Sequence, residues 1–206
     1  MRLFVGIALA DVVVRELESA AARLRASGGP AIATLRWTAP ESWHVTLQFL
    51  GNATPEQYAC LLARLGEVRS APVPVELGAL GCFDRAGVLF ADVQTAPGLA
   101  ALARSVAAAT GCCGFVAETR PFHPHITLAR KTGSKGAKEQ GSKKTGSHAR
   151  VENIGRGVTL RDLLIHADGG PNFSRFTARE FLLYESHLEA RGARYEVRGR
   201  FPLRET

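Results

Sequence analysis

The sequence lacks several features that would have placed it quickly. No apolar run is long enough to span a bilayer as a helix, which takes about 20 residues. The opening "MRLFVGIALAD" imitates a secretory leader, with Arg2, an apolar stretch and Ala8-Leu9-Ala10. Asp11 arrives before such a leader would reach its cleavage site, so "RLFVGIAL" reads as a first buried strand. There is no Gly-x-Gly-x-x-Gly and no P-loop, so two common nucleotide-binding classes find no support. Four cysteines, Cys60, Cys82, Cys112 and Cys113, form no Cys-x-x-Cys, and two of them are adjacent, which is poor geometry for sharing one zinc. They read as buried or idle thiols of a reducing compartment, which agrees with the cytoplasmic location expected from the absence of a leader and of a membrane span; no membrane partner, metal or cofactor is expected.

What is present suits a folded domain. The 206 residues are 46% apolar, enough to bury a core in one large domain or two small lobes. The net charge of +7 is concentrated. Residues 131–150, "KTGSKGAKEQGSKKTGSHAR", carry five Lys and one Arg against one Glu, a net +5, which leaves +2 for the rest. This Gly/Ser/Lys stretch is too polar to pack and is expected to be a flexible basic loop inserted in a single domain. It serves either as a solvated loop or as an arm that attracts polyanions.

Hydrophobic periodicity and turn residues mark the elements. Residues 11–27 are expected to be helical, with Asp11 as N-cap and Val14, Leu17, Ala21 and Leu24 on one face. Thr54, Pro55 and Gln57 spell a capping box with proline at the first helical position, so a second helix should run to about Arg69. "VPVELGALGCF" and "GVLFADV" read as strands joined by a turn at 84–87. A helix opens near Thr95 and stops at Gly111, a short one is expected at "TLRDLLIHA", and "FTAREFLLYESHL" and "ARYEVRGRFPL" are closing strands around Gly192. Strands follow one another directly, which points to an α+β fold with antiparallel sheets.

One stretch asks for a chemical explanation. In "HVTLQFLG", Val45, Leu47 and Phe49 alternate as a buried face should, and His44, Thr46 and Gln48 form the other face. A polar face toward water would account for one such strand. The pattern returns in "HPHITLAR", where His125-Ile126-Thr127-Leu128 repeats His44-Val45-Thr46-Leu47 81 residues later. Residues i and i+2 of a strand share a face, so each histidine travels with a threonine hydroxyl. If the strands lie together, two imidazoles and two hydroxyls converge. Histidine exchanges protons near neutral pH, one giving while the other takes. Threonine hydroxyls donate to the non-bridging oxygens of a phosphoryl group. The implied chemistry is metal-free cleavage of a phosphodiester.

With these residues in view, the chain resembles the two-histidine (2H) phosphoesterase superfamily, and within it the bacterial and archaeal RNA 2′,3′-cyclic phosphodiesterases, the LigT-like or 2′-5′ RNA ligase family. The resemblance rests on "RLFVGI", "RWTAPESWHVTLQFLG", "RPFHPHITLAR" and "FLLYESHL…GARYEV" and covers most of the chain. It implies a bilobal, pseudo-twofold fold, two antiparallel sheets flanking a groove with helices outside. It implies RNA ends bearing a 2′,3′-cyclic phosphate as substrate and a 2′-phosphate as product. By resemblance His125 is the base that activates water, His44 is the acid, and Thr46 and Thr127 hold the phosphate. Arg130 matches the arginine that ends the family motif. Strict alternation aims it away from His125, so a bulge or the strand end must turn it. The expected state is a monomer.

Other residues and readings are weaker. His123 shares a face with His125 and could bind metal, but a structural role is favoured. Phe49, Trp37 and Tyr184 could stack on bases, although alternation assigns Phe49 to the core. His148, His166 and His187 carry no motif and are expected at the surface. The rival functions are a cyclic phosphodiesterase of small nucleotides, a non-catalytic RNA-binding protein, and a metallohydrolase built on His123 and His125. Ligation of 2′-5′ ends would be the reverse reaction at the same site.

Overall fold

A computed structural model of the chain describes residues 1–132, 172–189 and 192–204. The expected helix at 159–167, His148 and His166, and the basic segment beyond Thr132 lie outside the described residues.

Ten strands are described. β1 (Arg2–Ala8), β3 (His44–Asn52), β9 (Glu180–Glu189) and β10 (Gly192–Pro202) form one sheet in the order β10-β9-β1-β3. β2 (Leu35–Trp37), β5 (Leu77–Phe83), β6 (Val88–Val93) and β7 (His125–Lys131) form a second in the order β2-β7-β6-β5. β4 (Val73–Val75) and β8 (Phe176–Ala178) make a small third pair. Every pairing is antiparallel. The described helices are α1 (Asp11–Ser27), α2 (Pro30–Ala33), α3 (Pro55–Gly66) and α4 (Pro97–Gly111). This is the α+β architecture with two antiparallel sheets that the sequence led us to expect, each sheet having four strands.

Local chemistry explains the helix limits. Thr54 accepts a hydrogen bond from the Gln57 backbone N–H (3.2 Å), and Gln57 Oε1 accepts from the Thr54 N–H (3.1 Å), which completes the capping box. The helix ends at Gly66, three residues short of the expected limit. α1 starts with Asp11 inside the first turn rather than as the cap. Ala10 is the N-cap residue, and the Asp11 charge meets the positive end of the helix dipole. Val13, not Val14, joins Leu17, Ala20, Ala21 and Leu24 on the buried face. Gly28 ends α1 at φ 67°, a backbone that favours glycine. One core of aliphatic side chains from both large sheets and from α1, α3 and α4 lies behind the strands. Each sheet therefore keeps its other face for the groove.

The cysteines do not all match the reading of idle thiols. Cys60 on α3 and Cys113, just after α4, form a disulfide, with Cα atoms 5.8 Å apart. Their separation of 53 residues carries no motif. Only the packing of α3 beside α4 brings them together. For this pair the cysteine argument for a reducing compartment does not hold. Among the described residues no helix is long and apolar enough to cross a membrane.

Candidate active site

Both His-x-Thr-Leu strands carry a bulge at the same place. In the β1–β3 ladder Val5 pairs with Gln48 and Gly6 with Thr46, so Leu47 is unpaired. In the β6–β7 ladder Leu89 pairs with Ala129 and Phe90 with Thr127, so Leu128 is unpaired. A bulge inserts one residue and reverses the alternation beyond it. Leu47 and Gln48 are consequently both buried, as are Leu128 and Ala129. The next residues, Phe49 and Arg130, turn to the face of the histidines.

This corrects one expectation and explains another. Phe49 is not in the core: it is 57% exposed and lines the groove. Gln48, expected on the polar face, is buried, and its Oε1 accepts a hydrogen bond from the Thr110 hydroxyl of α4 (2.7 Å). Arg130 needed a bulge to reach the site, and the bulge is there. One pocket then brings together His44, Thr46, His125, Thr127 and Arg130, with Phe49, Thr38, Ser42 and Tyr195 completing its walls.

Each imidazole is fixed in the same manner. His44 Nδ1 lies 2.8 Å from the Ser42 carbonyl oxygen, and His125 Nδ1 lies 2.9 Å from that of His123. A carbonyl only accepts, so Nδ1 carries the proton and Nε2 is left with its lone pair in the neutral ring. Aromatic walls hold both rings. His44 packs on Phe4 (centroids 4.6 Å) with Tyr195 edge-on (5.1 Å). His125 meets Phe83 (5.1 Å) and Phe90 (5.4 Å). Gly6 makes the first arrangement possible, because a Cβ there would stand 2.9 Å from the Val45 carbonyl oxygen and 3.4 Å from the His44 ring.

Desolvation disfavours the charged form of both rings. Burial pushes His44 down from its ordinary 6.5 to about 4, with the nearby His125 and Arg130 adding to the effect. His125 is also lowered, first by burial and then by His123 and Arg130, while Asp92 pulls in the opposite direction. Asp92 is the cross-strand partner of His125 and lies 3.1 Å from His123 Nε2. His123 thus has a carboxylate neighbour that sequence order concealed. Among the described residues no three His, Cys, Asp or Glu side chains are placed to hold a metal ion.

Of the other candidates, Trp37 faces α1, with the Arg25 guanidinium 4.4 Å from its ring, and does not line the groove. Tyr184 is buried, stacked on Phe4 at 4.9 Å. His187 lies behind the first sheet, half-buried between Glu185 and Glu196. Tyr195, Thr38 and Ser42 were missed. They come from separate segments, and only pairing of distant strands brings them to the pocket.

Comparison with known proteins agrees with this geometry. Residues 13–150 match the family model described as the 2′-5′ RNA ligase superfamily. The RNA 2′,3′-cyclic phosphodiesterase of Bacillus subtilis is 31% identical over 139 residues, covering 65% of this chain and 73% of that protein. The Geobacillus stearothermophilus protein of the same name is 33% identical over 60% of this chain, and the match spans 41% of that relative's length. Among solved structures, apo LigT of Escherichia coli superposes with a TM-score of 0.69 at 26% identity, covering 98% of this chain and 96% of that one. The same protein with 3′-AMP gives 0.71 at 25% identity, covering 98% and 97%. Two bulged His-x-Thr-Leu strands facing one groove, and a family match over 13–150, lead to one assignment: the chain belongs to the 2′-5′ RNA ligase superfamily.

Proposed function

We propose that the protein hydrolyses the terminal 2′,3′-cyclic phosphate of RNA to a 2′-phosphomonoester by metal-independent acid–base catalysis. The observation that carries this reading is the pair of imidazoles. Each is held at Nδ1 by a backbone carbonyl, each has Nε2 free, and both line one pocket with two threonines and an arginine. The names of the curated relatives point the same way, as does the nucleotide bound by the Escherichia coli LigT structure.

His125 is the base. Its Nε2 takes a proton from water as the oxygen attacks phosphorus. The Asp92 carboxylate favours the imidazolium that forms. His44 is the acid. Half-buried and strongly lowered by desolvation, it takes up its proton with the anionic substrate. It then releases that proton readily to the departing ribose O3′. The P–O3′ bond breaks, leaving a 2′-phosphate and a free 3′-hydroxyl. Thr46 and Thr127 donate to the non-bridging oxygens, and Arg130 balances their charge. Exposed Phe49 offers a face on which the terminal base stacks. A 5′-hydroxyl in place of water would give 2′-5′ ligation with the same groups. The reading includes a single bilobal domain acting as a cytoplasmic monomer, which light scattering and cell fractionation test.

The test is product identification. An oligonucleotide with a 2′,3′-cyclic end, incubated with chelator-treated protein, should yield only the 2′-phosphate. A 3′-phosphate product, or activity lost to the chelator and restored by one divalent ion, would overturn the reading. The roles separate on a substrate whose leaving group needs no proton: it should rescue His44→Ala and not His125→Ala.

A further inference from the structure

We infer that Arg36 forms with Arg130 a second anion subsite, one that takes the phosphodiester on the 5′ side of the terminal nucleotide and so favours RNA chains over cyclic mononucleotides. The inference rests on the function proposed above and names the substrate that the site prefers.

Arg36 is the middle residue of β2, the strand that edges the second sheet next to β7. On either side of it, Leu35 is buried and Trp37 packs toward α1 under Arg25. Alternation therefore points Arg36 to the opposite face, where it is exposed. The register agrees: Arg36 is the direct partner of Arg130, and directly opposite residues share a face with Cβ atoms about 5 Å apart. Arg130 lines the pocket of the two histidines. Arg36 thus extends the cationic wall of that pocket by one strand.

Two like charges directly opposite each other oppose strand pairing. Some described arginines rest against carboxylates, as Arg175 does on Glu76, Arg194 on Glu189 and Arg200 on Glu180. Neither Arg36 nor Arg130 makes a hydrogen bond or ion pair with a described residue. An arrangement that costs stability and has no counter-charge among the described residues is suited to an anion from outside. Guanidinium groups match phosphate in shape and donor geometry. With the cyclic phosphate between the histidines and Arg130, the adjoining phosphate of the same strand is the nearest anion of an RNA substrate. The pseudo-twofold counterpart of Arg130 is Phe49, which carries no charge, so the chain leaves the site on the side of the second sheet.

The experiment compares adenosine 2′,3′-cyclic phosphate with diadenylate ending in a 2′,3′-cyclic phosphate, using the whole protein, Arg36→Gln and Arg36→Lys. Arg36→Gln should lower kcat/KM on the dinucleotide roughly ten-fold, as loss of a charged hydrogen bond does, and leave the mononucleotide unchanged. The slope of log KM against log salt for the dinucleotide should flatten by about 0.7. Arg36→Lys should retain part of the effect. The thermal midpoint of Arg36→Gln should hold or rise, because a like-charge contact is removed. Equal losses on both substrates, no loss on the dinucleotide, or a lowered thermal midpoint would overturn the subsite. Calorimetric affinities for adenosine 2′-phosphate and for diadenylate with a 2′-phosphate separate the two claims. If the wild-type protein turns over neither substrate, the proposed activity falls. The subsite is then decided by whether Arg36→Gln weakens only the dinucleotide.

Discussion

Phe49 and Arg130 occupy equivalent places, each five residues beyond its histidine and each turned into the groove by a bulge at the preceding leucine. The two halves of the site repeat in backbone and differ in chemistry. One half ends on an exposed ring and the other on a guanidinium. On the proposed function, that asymmetry gives the groove a direction, with base on one side and phosphate chain on the other.

The two residues should fail differently. Phe49→Ala should raise KM with kcat little changed, since stacking of one base contributes about 1–3 kcal/mol and acts in ground and transition states alike. The fold should tolerate it, because the ring is exposed. Arg130→Gln should lower kcat. A ribose cyclic phosphate lacking its base separates them: steady-state kinetics on it should show no effect of Phe49→Ala and the full effect of Arg130→Gln.

Burial of His44 makes stability depend on pH. Its value is 6.5 when unfolded and about 4 when folded. Below 6.5 the unfolded chain binds a proton that the folded chain refuses, so stability falls as the pH drops from 6.5 toward 4 and levels off below. The contribution lost over that window is about 3 kcal/mol. Denaturant titrations between pH 7 and 4 should show it, and His44→Gln should remove that part of the slope.

Gly6→Ala tests the packing beneath His44. The added methyl meets the Val45 carbonyl oxygen at 2.9 Å and the imidazole edge at 3.4 Å, so strand or ring must move. Overpacking of this kind costs about 1–3 kcal/mol. Activity should fall further than stability does, because a displaced His44 loses its bond to Ser42. Parallel measurements of thermal midpoint and kcat check this.

The disulfide supplies a fourth expectation. Cys60→Ser or reduction should lower stability by about 2–4 kcal/mol, whereas Cys112→Ser, outside the bridge, should not. Denaturant midpoints with and without reductant decide it.

How much of this was legible in advance follows from what each feature depends on. The α3 cap was spelled in Thr54, Pro55 and Gln57, because a cap is a local hydrogen-bond pattern. Convergence of His44, Thr46, His125 and Thr127 was legible because the motif repeats and strands alternate. Alternation failed at Gln48 and Phe49, since a bulge depends on pairing with β1, which the sequence of β3 does not reveal. Arg130 was named from the family resemblance, against strict alternation, with a bulge or the strand end left to turn it. The Cys60–Cys113 bridge and the Asp92–His123 contact join segments remote in sequence and left no local mark.

The central claim is that His44 and His125 work as one acid–base unit, and the most direct measurement is kcat/KM for His44→Ala, His125→Ala and the double variant on a 2′,3′-cyclic-phosphate oligonucleotide. Each single substitution should cost roughly 10²–10⁴, and the double variant should lose far less than the product of the two. A single variant that keeps wild-type turnover would contradict the account.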